Sequence, residues 1–487
     1  MEKGAGILLH ISSLPSNYGI GTFGKSAYDF LNFLKEINFK YWQILPLNPT
    51  GYKDSPYQTF SSFAINPYFI DLDILKDQGL LISDDLINLE LKNCLEVDYG
   101  YLYETRIDIL YKAYKRGYQK LFNELELFLK ENFYWLDDYA TFMIIKQKYS
   151  TKNFLLWDEK IKNHQNETIR IIKNQEKDLY NFYVFLQYIA YEQFQKLKKY
   201  ANSLNIFIIG DIPIYVSLDS CDLWANRKMF ILDENNNPGL VAGVPPDYFS
   251  STGQLWGNPL YNYDFMESNN YQWWVNRISY FEKFYDYLRI DHFRGFESFY
   301  AIDANSDTAL NGKWIKGPNR KLFDQIAVHC DINKIIVEDL GIITPEVKKL
   351  KDLYNFPGLK IVEFAFDELD EKHPYLPKNF EKNCIGYLGS HDNEPLYAYL
   401  KNNKKALLNI EKYYHCKDDL AQKLIEDLFS SNANVVILQM QDLLKDDRRM
   451  NTPGKADGNW IYRINKNYRD LVDKLYFKNL VIKNKRN

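Results

Sequence analysis

The sequence predicts an α/β fold, a (β/α)8 barrel with large inserted subdomains in the connections that follow its strands. Eight short, mostly apolar runs have the character of buried parallel strands. Amphipathic stretches of helical length lie between the later runs, and such alternation is typical of βαβ units. Eight units favour a closed barrel over an open sheet. Carboxylates stand where several runs end, which is the edge where barrels carry their active sites.

The predicted strands are spread along the chain, and residues 1–487 are interpreted as a single catalytic barrel. In order, the strands span residues 6–10, 41–46, 206–211, 287–291, 334–338, 359–364, 385–390 and 434–439. Apolar residues at helical spacing predict helices over residues 344–354 and 417–430, between the last strands.

Two connections are too long for simple barrel loops. Residues 51–180, after the second strand, have apolar residues at helical spacing and predict a mainly helical insertion. Residues 182–200 would then be the barrel helix that leads into the third strand. Residues 213–285, after the third strand, contain segments rich in Gly, Pro and Asn and predict a loop-rich insertion that covers the cleft.

Composition favours a soluble globular protein, with 46% hydrophobic and 25% charged residues. The net charge of -4, with both signs interspersed, predicts no nucleic-acid partner. No apolar segment approaches the ~18 residues of a membrane span, and no cleavage site follows the apolar N-terminal segment. The five scattered cysteines form no C-x-x-C pair, which favours a reducing cytoplasm over a disulfide framework.

Three patterns that could indicate a nucleotide or metal site lack the context they need. Residues 19–24 fit G-x-G-x-x-G, but no strand runs directly into them and no acid ends the second strand, so a tight turn is favoured. Residues 233–239 begin like a calcium loop, but Pro238 replaces the required Gly and Val244 the bidentate Glu. The seven histidines show no zinc-binding spacing.

Three carboxylates at predicted strand ends indicate glycoside chemistry. A retaining enzyme needs one ionised, nucleophilic carboxylate and one protonated acid, roughly 5–5.5 Å apart. Arg289 projects from the same strand face as Asp291 and would lower the pKa of that carboxyl. Apolar neighbours would raise the pKa of Glu338, on the adjacent strand, toward that of a useful acid. Asp392 offers a third acid to hold sugar hydroxyls.

These strand ends admit a second interpretation. Each acid taken alone could close the barrel rim as half of an ion pair, and a single histidine could be a core residue. Yet His10, His292 and His391 fall at the same rim as the three acids. So many polar groups at one rim favour a shared pocket.

The chain also carries a long series of motifs in order. They include residues 6–10, Asp54-Ser55-Pro56-Tyr57, Gly210-Asp211-Ile212-Pro213, residues 243–249, Gly253-Gln254-Leu255-Trp256, residues 448–454 and Asp457-Gly458-Asn459-Trp460. Nearly end to end, the sequence resembles the amylomaltase family, the 4-α-glucanotransferases or disproportionating enzymes of glycoside hydrolase family 77.

This resemblance implies a role for each matching residue. It implies that Asp291 is the nucleophile, Glu338 the acid/base and Asp392 the stabiliser of the transition state. It implies sugar contacts from Tyr57, Asp211, Gln254, Trp256, Arg289, Phe364 and His391. Gln254 and Trp256 would lie on a loop over the acceptor side, and Phe364 would be a stacking wall. No metal or organic cofactor takes part in this family.

The expected function is that of a retaining 4-α-glucanotransferase, which moves α-1,4-glucan segments between maltooligosaccharides through a glucosyl-enzyme on Asp291. One alternative is an α-glucan hydrolase of the same clan. Another is a glucan-binding protein without activity, which the intact acids count against. Glu394-Pro395 departs from the small acid and Thr that usually follow in the family, and this leaves details of acceptor binding open.

Overall fold

The computed structural model describes residues 1–91, 94–149, 152–246, 250–455 and 457–487. These residues form two β-sheets surrounded by helices. The strands are β1 (Gly4–Leu8), β2 (Tyr41–Gln43), β3 (Phe207–Ile212), β4 (Leu240–Val244), β5 (Gln254–Pro259), β6 (Tyr287–Ile290), β7 (Ser298–Asp303), β8 (Lys313–Lys316), β9 (Ile335–Val337), β10 (Gly358–Ile361), β11 (Cys384–Tyr387) and β12 (Val435–Gln439).

The helices of the described residues lie mostly between these strands. They are α1 (Lys25–Glu36), α2 (Leu72–Asp77), α3 (Ser83–Leu86), α4 (Tyr99–Gly117), α5 (Phe122–Lys148), α6 (Glu159–Lys162), α7 (Asn166–Gln175), α8 (Lys177–Ser203), α9 (Cys221–Ala225), α10 (Tyr263–Ser268), α11 (Gln272–Glu282), α12 (Arg294–Glu297), α13 (Arg320–His329), α14 (Pro345–Leu353), α15 (Leu396–Asn402), α16 (Lys404–Tyr414), α17 (Leu420–Ser430), α18 (Met440–Leu444), α19 (Tyr468–Leu471) and α20 (Lys474–Lys483). None of these helices is long and apolar enough to cross a membrane.

The larger sheet is the predicted barrel. Its eight strands are parallel and follow the order β10-β11-β12-β1-β2-β3-β6-β9. The two end strands meet, because the Val337 N–H donates to the carbonyl of Pro357 at 3.0 Å. The (β/α)8 fold is therefore confirmed, and each barrel strand overlaps one of the predicted runs.

The barrel strands are short apolar segments because both of their faces are covered. Every residue of β1, β2, β9, β11 and β12 is buried. Two-sided burial removes the alternation of polar and apolar residues that an exposed sheet face would impose. The strands end at or just before the predicted acids: β6 stops one residue before Asp291, and β9 one residue before Glu338.

Local signals set the helix ends. The Thr344 hydroxyl accepts a hydrogen bond from the N–H of Val347 at 3.5 Å, and Pro345 occupies the first turn, so α14 begins where the sequence predicts. Helix α17 begins at Leu420, three residues later than predicted. Asp419 has a left-handed backbone (φ 56°), so the helix cannot extend past this residue toward its N-terminus.

The long connections hold additional elements. Helices α2 to α8 lie between β2 and β3, and α8 packs against both α1 and β3. Strands β4 and β5 lie between β3 and β6, within the segment expected to be rich in loops. They pair with β7 and β8, which follow β6, in a four-stranded antiparallel sheet of order β5-β4-β7-β8. The sequence analysis did not predict this second sheet.

Candidate active site

A cleft with a volume of about 370 Å³ opens at the carboxyl ends of the barrel strands. Nine of the ten predicted site residues line it: Tyr57, Gln254, Trp256, Arg289, Asp291, Glu338, Phe364, His391 and Asp392. The tenth, Asp211, is fully buried beneath the cleft floor. The fold thus gathers residues from six separate parts of the chain into one pocket.

Arg289 is the centre of the cleft floor. Its side chain is 5% exposed and contacts carboxylates from three adjacent strand ends. Nη1 donates to Oδ2 of Asp211 at 2.6 Å. Nη2 lies 2.9 Å from Oε2 of Glu338 and 3.0 Å from Oδ1 of Asp291. A single guanidinium therefore fixes the positions of both acids expected to react.

The carboxyls of Asp291 and Glu338 are also hydrogen-bonded to each other and titrate as a pair. Burial, followed by the negative charge of Glu338, raises the pKa of Asp291 well above its usual value. Burial also disfavours ionised Glu338, but the Arg289 charge and hydrogen bonds from Asp291 and the His292 N–H lower the Glu338 pKa to about 2. The two pKa shifts therefore run in opposite directions, upward for Asp291 and downward for Glu338.

These directions are opposite to the predicted ones, a lowered pKa for Asp291 and a raised pKa for Glu338, so that prediction is wrong for this arrangement. The reason is that Arg289 Nη2 serves both carboxylates, so its charge does not select Asp291. Among the described residues, Glu338 gains a further donor that Asp291 lacks, the His292 N–H at 3.0 Å. That contact depends on the left-handed backbone of His292 (φ 48°), which the sequence does not indicate.

Asp392 lies apart from the arginine network, on the turn that follows β11. The Asn451 amide donates to its Oδ1 at 2.6 Å, and His391 Nε2 is 3.3 Å from its Oδ2. Arg449 Nη2 donates to the main-chain carbonyl of Asp392 at 2.6 Å. The sequence analysis missed Asn451 and Arg449 as site residues, although both lie in the 448–454 motif.

Tyr57 and His391 form a stacked pair beside Asp392. Their ring centroids are 5.4 Å apart with an interplanar angle of 10°. The Tyr57 hydroxyl donates to Oδ2 of Asp211 at 2.8 Å and lies 3.0 Å from His391 Nε2. Burial raises the pKa of Tyr57 well above its usual value, so the hydroxyl stays a donor. Trp460, also missed, extends this aromatic wall at 5.7 Å from Tyr57.

Gln254 and Trp256 lie on β5 and line the cleft. The indole N–H of Trp256 donates to Oε1 of Gln254 at 3.2 Å, and the ring meets His292 edge-on at 4.9 Å. Burial lowers the pKa of His292 to about 4, so its imidazole is neutral. Residues 247–249, the end of the 243–249 motif, lie outside the described residues.

The remaining predicted contacts divide between the cleft and the core. Phe364 lines the cleft wall, with its ring 5.8 Å from Tyr375. His10 is buried below the cleft, where its Nδ1 accepts from the N–H of Leu45 at 3.2 Å. Burial lowers the His10 pKa to about 3. The expectation that three histidines line the pocket is therefore wrong for His10, which is a core residue with a satisfied acceptor.

A (β/α)8 barrel whose strand ends hold two adjacent carboxyls in an open cleft has the architecture of an enzyme of glycosidic-bond chemistry. The family model for 4-alpha-glucanotransferase matches residues 9–468. The 4-alpha-glucanotransferase of Clostridium butyricum is 45% identical, over 96% of this chain and 98% of the relative. That of Aquifex aeolicus is 42% identical, over 97% and 98%.

A solved structure shows the same relationship. The amylomaltase of Streptococcus agalactiae, in complex with acarbose, superposes with a TM-score of 0.95 at 38% identity, with all of both chains covered. This chain belongs to the 4-alpha-glucanotransferase family, glycoside hydrolase family 77.

Proposed function

We propose that the protein is a retaining 4-α-glucanotransferase that moves α-1,4-glucan segments between maltooligosaccharides by double displacement. The observation that carries the proposal is the pair of carboxylates, Asp291 and Glu338, held within 3.0 Å of one guanidinium nitrogen in an open cleft. Family membership supports the choice of substrate and reaction. The acarbose complex of the related amylomaltase supports an oligosaccharide as the ligand of the cleft.

In the first step, Asp291 attacks the anomeric carbon while Glu338 protonates the leaving oxygen. The reaction needs one proton on the pair, and it must lie on Glu338 when the glycosidic bond breaks. A sugar entering between the acids breaks their mutual hydrogen bond, which is one of the interactions that lower the Glu338 pKa. With the proton on Glu338, Asp291 is ionised beside Arg289 and ready to form the glucosyl-enzyme.

In the second step, Glu338 removes the proton from the 4-hydroxyl of an acceptor glucan. The hydroxyl oxygen attacks the anomeric carbon, and the Asp291 carboxylate leaves. Asp392, fixed by Asn451, would hold hydroxyls of the donor sugar as its ring flattens. We call Tyr57, His391, Asp392 and Trp460 the donor wall, because they surround that sugar's expected position.

Water competes with the acceptor, and a cover over the cleft would favour the sugar. We assign this cover to residues 213–285, and within it to the segment 243–256 that carries Gln254 and Trp256. Residues 51–180 form a mainly helical insertion in this scheme, and residues 1–487 one catalytic unit. The five cysteines, none of which is paired, support a cytoplasmic location.

An α-glucan hydrolase of the same clan is the alternative, and product analysis separates the two. Maltotriose incubated with the purified protein should give free glucose together with chains longer than maltotriose. A hydrolase gives only shorter products. Chromatography that quantifies free glucose and extended chains in one sample therefore tests the proposal, and absence of extended chains would reject it.

A further inference from the structure

Arg294 and Trp314 form a contact at the edge of the cleft that the mechanism above does not use. Arg294 opens α12, three residues after Asp291, and Trp314 lies on β8 of the small sheet. The guanidinium carbon lies 3.9 Å from the centroid of the Trp314 ring. Both residues line the cleft. Barrel and small sheet thus meet in a cation–π pair that faces the substrate space.

The Arg294 guanidinium has N–H groups that donate to no described residue. The side chain is 6% exposed, and Nε and Nη1 are buried without a hydrogen-bond partner in the part of the chain that the structure describes. The nearby carboxylate of Glu297 accepts instead from Lys316 Nζ at 2.6 Å. A buried cation with unused N–H groups beside a cleft is costly unless a ligand supplies acceptors.

Trp314 is held in place although it remains exposed. It keeps 39% of its surface accessible, while its ring packs 5.2 Å from Tyr300 and against Arg294. The Tyr300 hydroxyl is in turn fixed by the N–H of Gly312 at 2.9 Å. A rigid, exposed indole offers an apolar face at small cost in side-chain entropy.

We place the Arg294–Trp314 pair on the Glu338 side of the scissile bond, on the basis of the contacts around His292. Trp256 contacts His292, and the His292 N–H donates to Glu338. Arg294 follows His292 by two residues, and residues 340–342, just after Glu338, line the same cleft. Because Glu338 serves both the leaving oxygen and the incoming hydroxyl, this end receives the acceptor. We call Trp256, His292, Arg294 and Trp314 the acceptor wall.

We propose that Arg294 and Trp314 bind a distal glucose unit of the acceptor glucan, beyond the unit whose 4-hydroxyl reacts. The apolar C–H face of the sugar packs on the indole, and its hydroxyls accept from the guanidinium. This inference rests on the proposed transferase function. Its consequence is selectivity for acceptor length: a single glucose reaches only the reacting position, whereas maltotriose also covers Trp314.

The test compares acceptors with a fixed activated donor, α-glucosyl fluoride. In Trp314→Ala the KM for maltotriose as acceptor should rise about threefold to tenfold, with the KM for glucose unchanged, because only the longer acceptor loses its stacking contact. Trp314→Phe keeps a ring and should retain most of the preference. Phe133→Ala removes another exposed aromatic residue, one on α5 that is not among the residues lining the cleft, and should change neither constant.

Equal changes for glucose and maltotriose in folded Trp314→Ala would overturn the inference. If that variant does not fold, Trp314→Leu fills similar space without an aromatic face, and an unchanged acceptor preference in it would overturn the inference equally. The wild-type protein distinguishes failure of the proposed function from failure of this inference. If the unmodified protein forms no extended chains with either acceptor, the transferase assignment has failed, whatever the variants do.

Discussion

The donor wall and the acceptor wall differ in how far their polar groups are bonded within the protein. On the donor wall, Tyr57, His391 and Asp392 are joined to one another and to the residues behind them by contacts of 2.6–3.3 Å. On the acceptor wall, Nε2 of His292 and two nitrogens of Arg294 are buried without a hydrogen-bond partner among the residues described.

This difference indicates two kinds of binding. The donor wall is organised in advance, which suits a site that must hold one sugar ring in a single reactive geometry. The acceptor wall has N–H groups of Arg294 that no described residue accepts from, which suits a site that receives glucans of different lengths. Substitutions on the donor wall and the cleft floor should therefore lower the rate, whereas those on the acceptor wall should change which acceptor is used.

The largest effect is expected on the cleft floor. Asp291→Asn removes the carboxylate that would form the glucosyl-enzyme, so transfer from maltotriose should fall by about 10³-fold or more. Initial rates of glucose release measure the loss, and circular dichroism controls for folding. A folded variant that keeps more than a tenth of wild-type transfer would exclude Asp291 as nucleophile.

A smaller loss is expected behind the donor wall, at Asn451. The amide is a donor to Asp392 at 2.6 Å, and a hydrogen bond to a charged group contributes about 1.5–3 kcal/mol. Asn451→Ala should lower kcat about tenfold to a hundredfold. Asn451→Asp has the same shape but places a second negative charge against Asp392, so it should be slower still. If Asn451→Asp had a higher kcat than Asn451→Ala, Asn451 would not act through Asp392.

The smallest change in total rate is expected on the acceptor wall, at Trp256. If the 243–256 segment favours sugar over water, Trp256→Ala should weaken acceptor use more than the first half-reaction. The ratio of hydrolysis to transfer then rises, since water needs no binding surface. Free reducing ends measured against chain-extended products give this ratio. An unchanged ratio in a folded variant would mean that Trp256 only packs its strand.

The cleft floor could be predicted from the sequence because its signals are local. Strands buried on both faces are apolar runs, so a carboxylate that ends such a run stands out, as Asp291 and Glu338 do. Closure of the barrel then brings distant strand ends together, and this required no knowledge of side-chain contacts. The direction of the pKa shifts could not be predicted, because it depends on a shared guanidinium nitrogen and on the His292 backbone.

The acceptor wall was harder to predict because it is built from separate connections. Trp314 reaches the cleft only because β8 pairs with β7, and β7 with β4 from another connection. Residues 241–243 of β4 are all buried, so the strand lacks the alternation that identifies a half-exposed strand. The pairing of such short strands is set by tertiary contacts rather than by local pattern.

The central claim is that Asp291 is the nucleophile and Glu338 the acid/base. The most direct test uses Glu338→Gln with α-glucosyl fluoride, a donor whose leaving group needs little acid assistance. Maltotriose turnover should collapse, while intact-protein and peptide mass spectrometry should find one glucosyl unit attached to Asp291. No adduct on an intact Asp291, or an adduct on a different residue, would contradict the account.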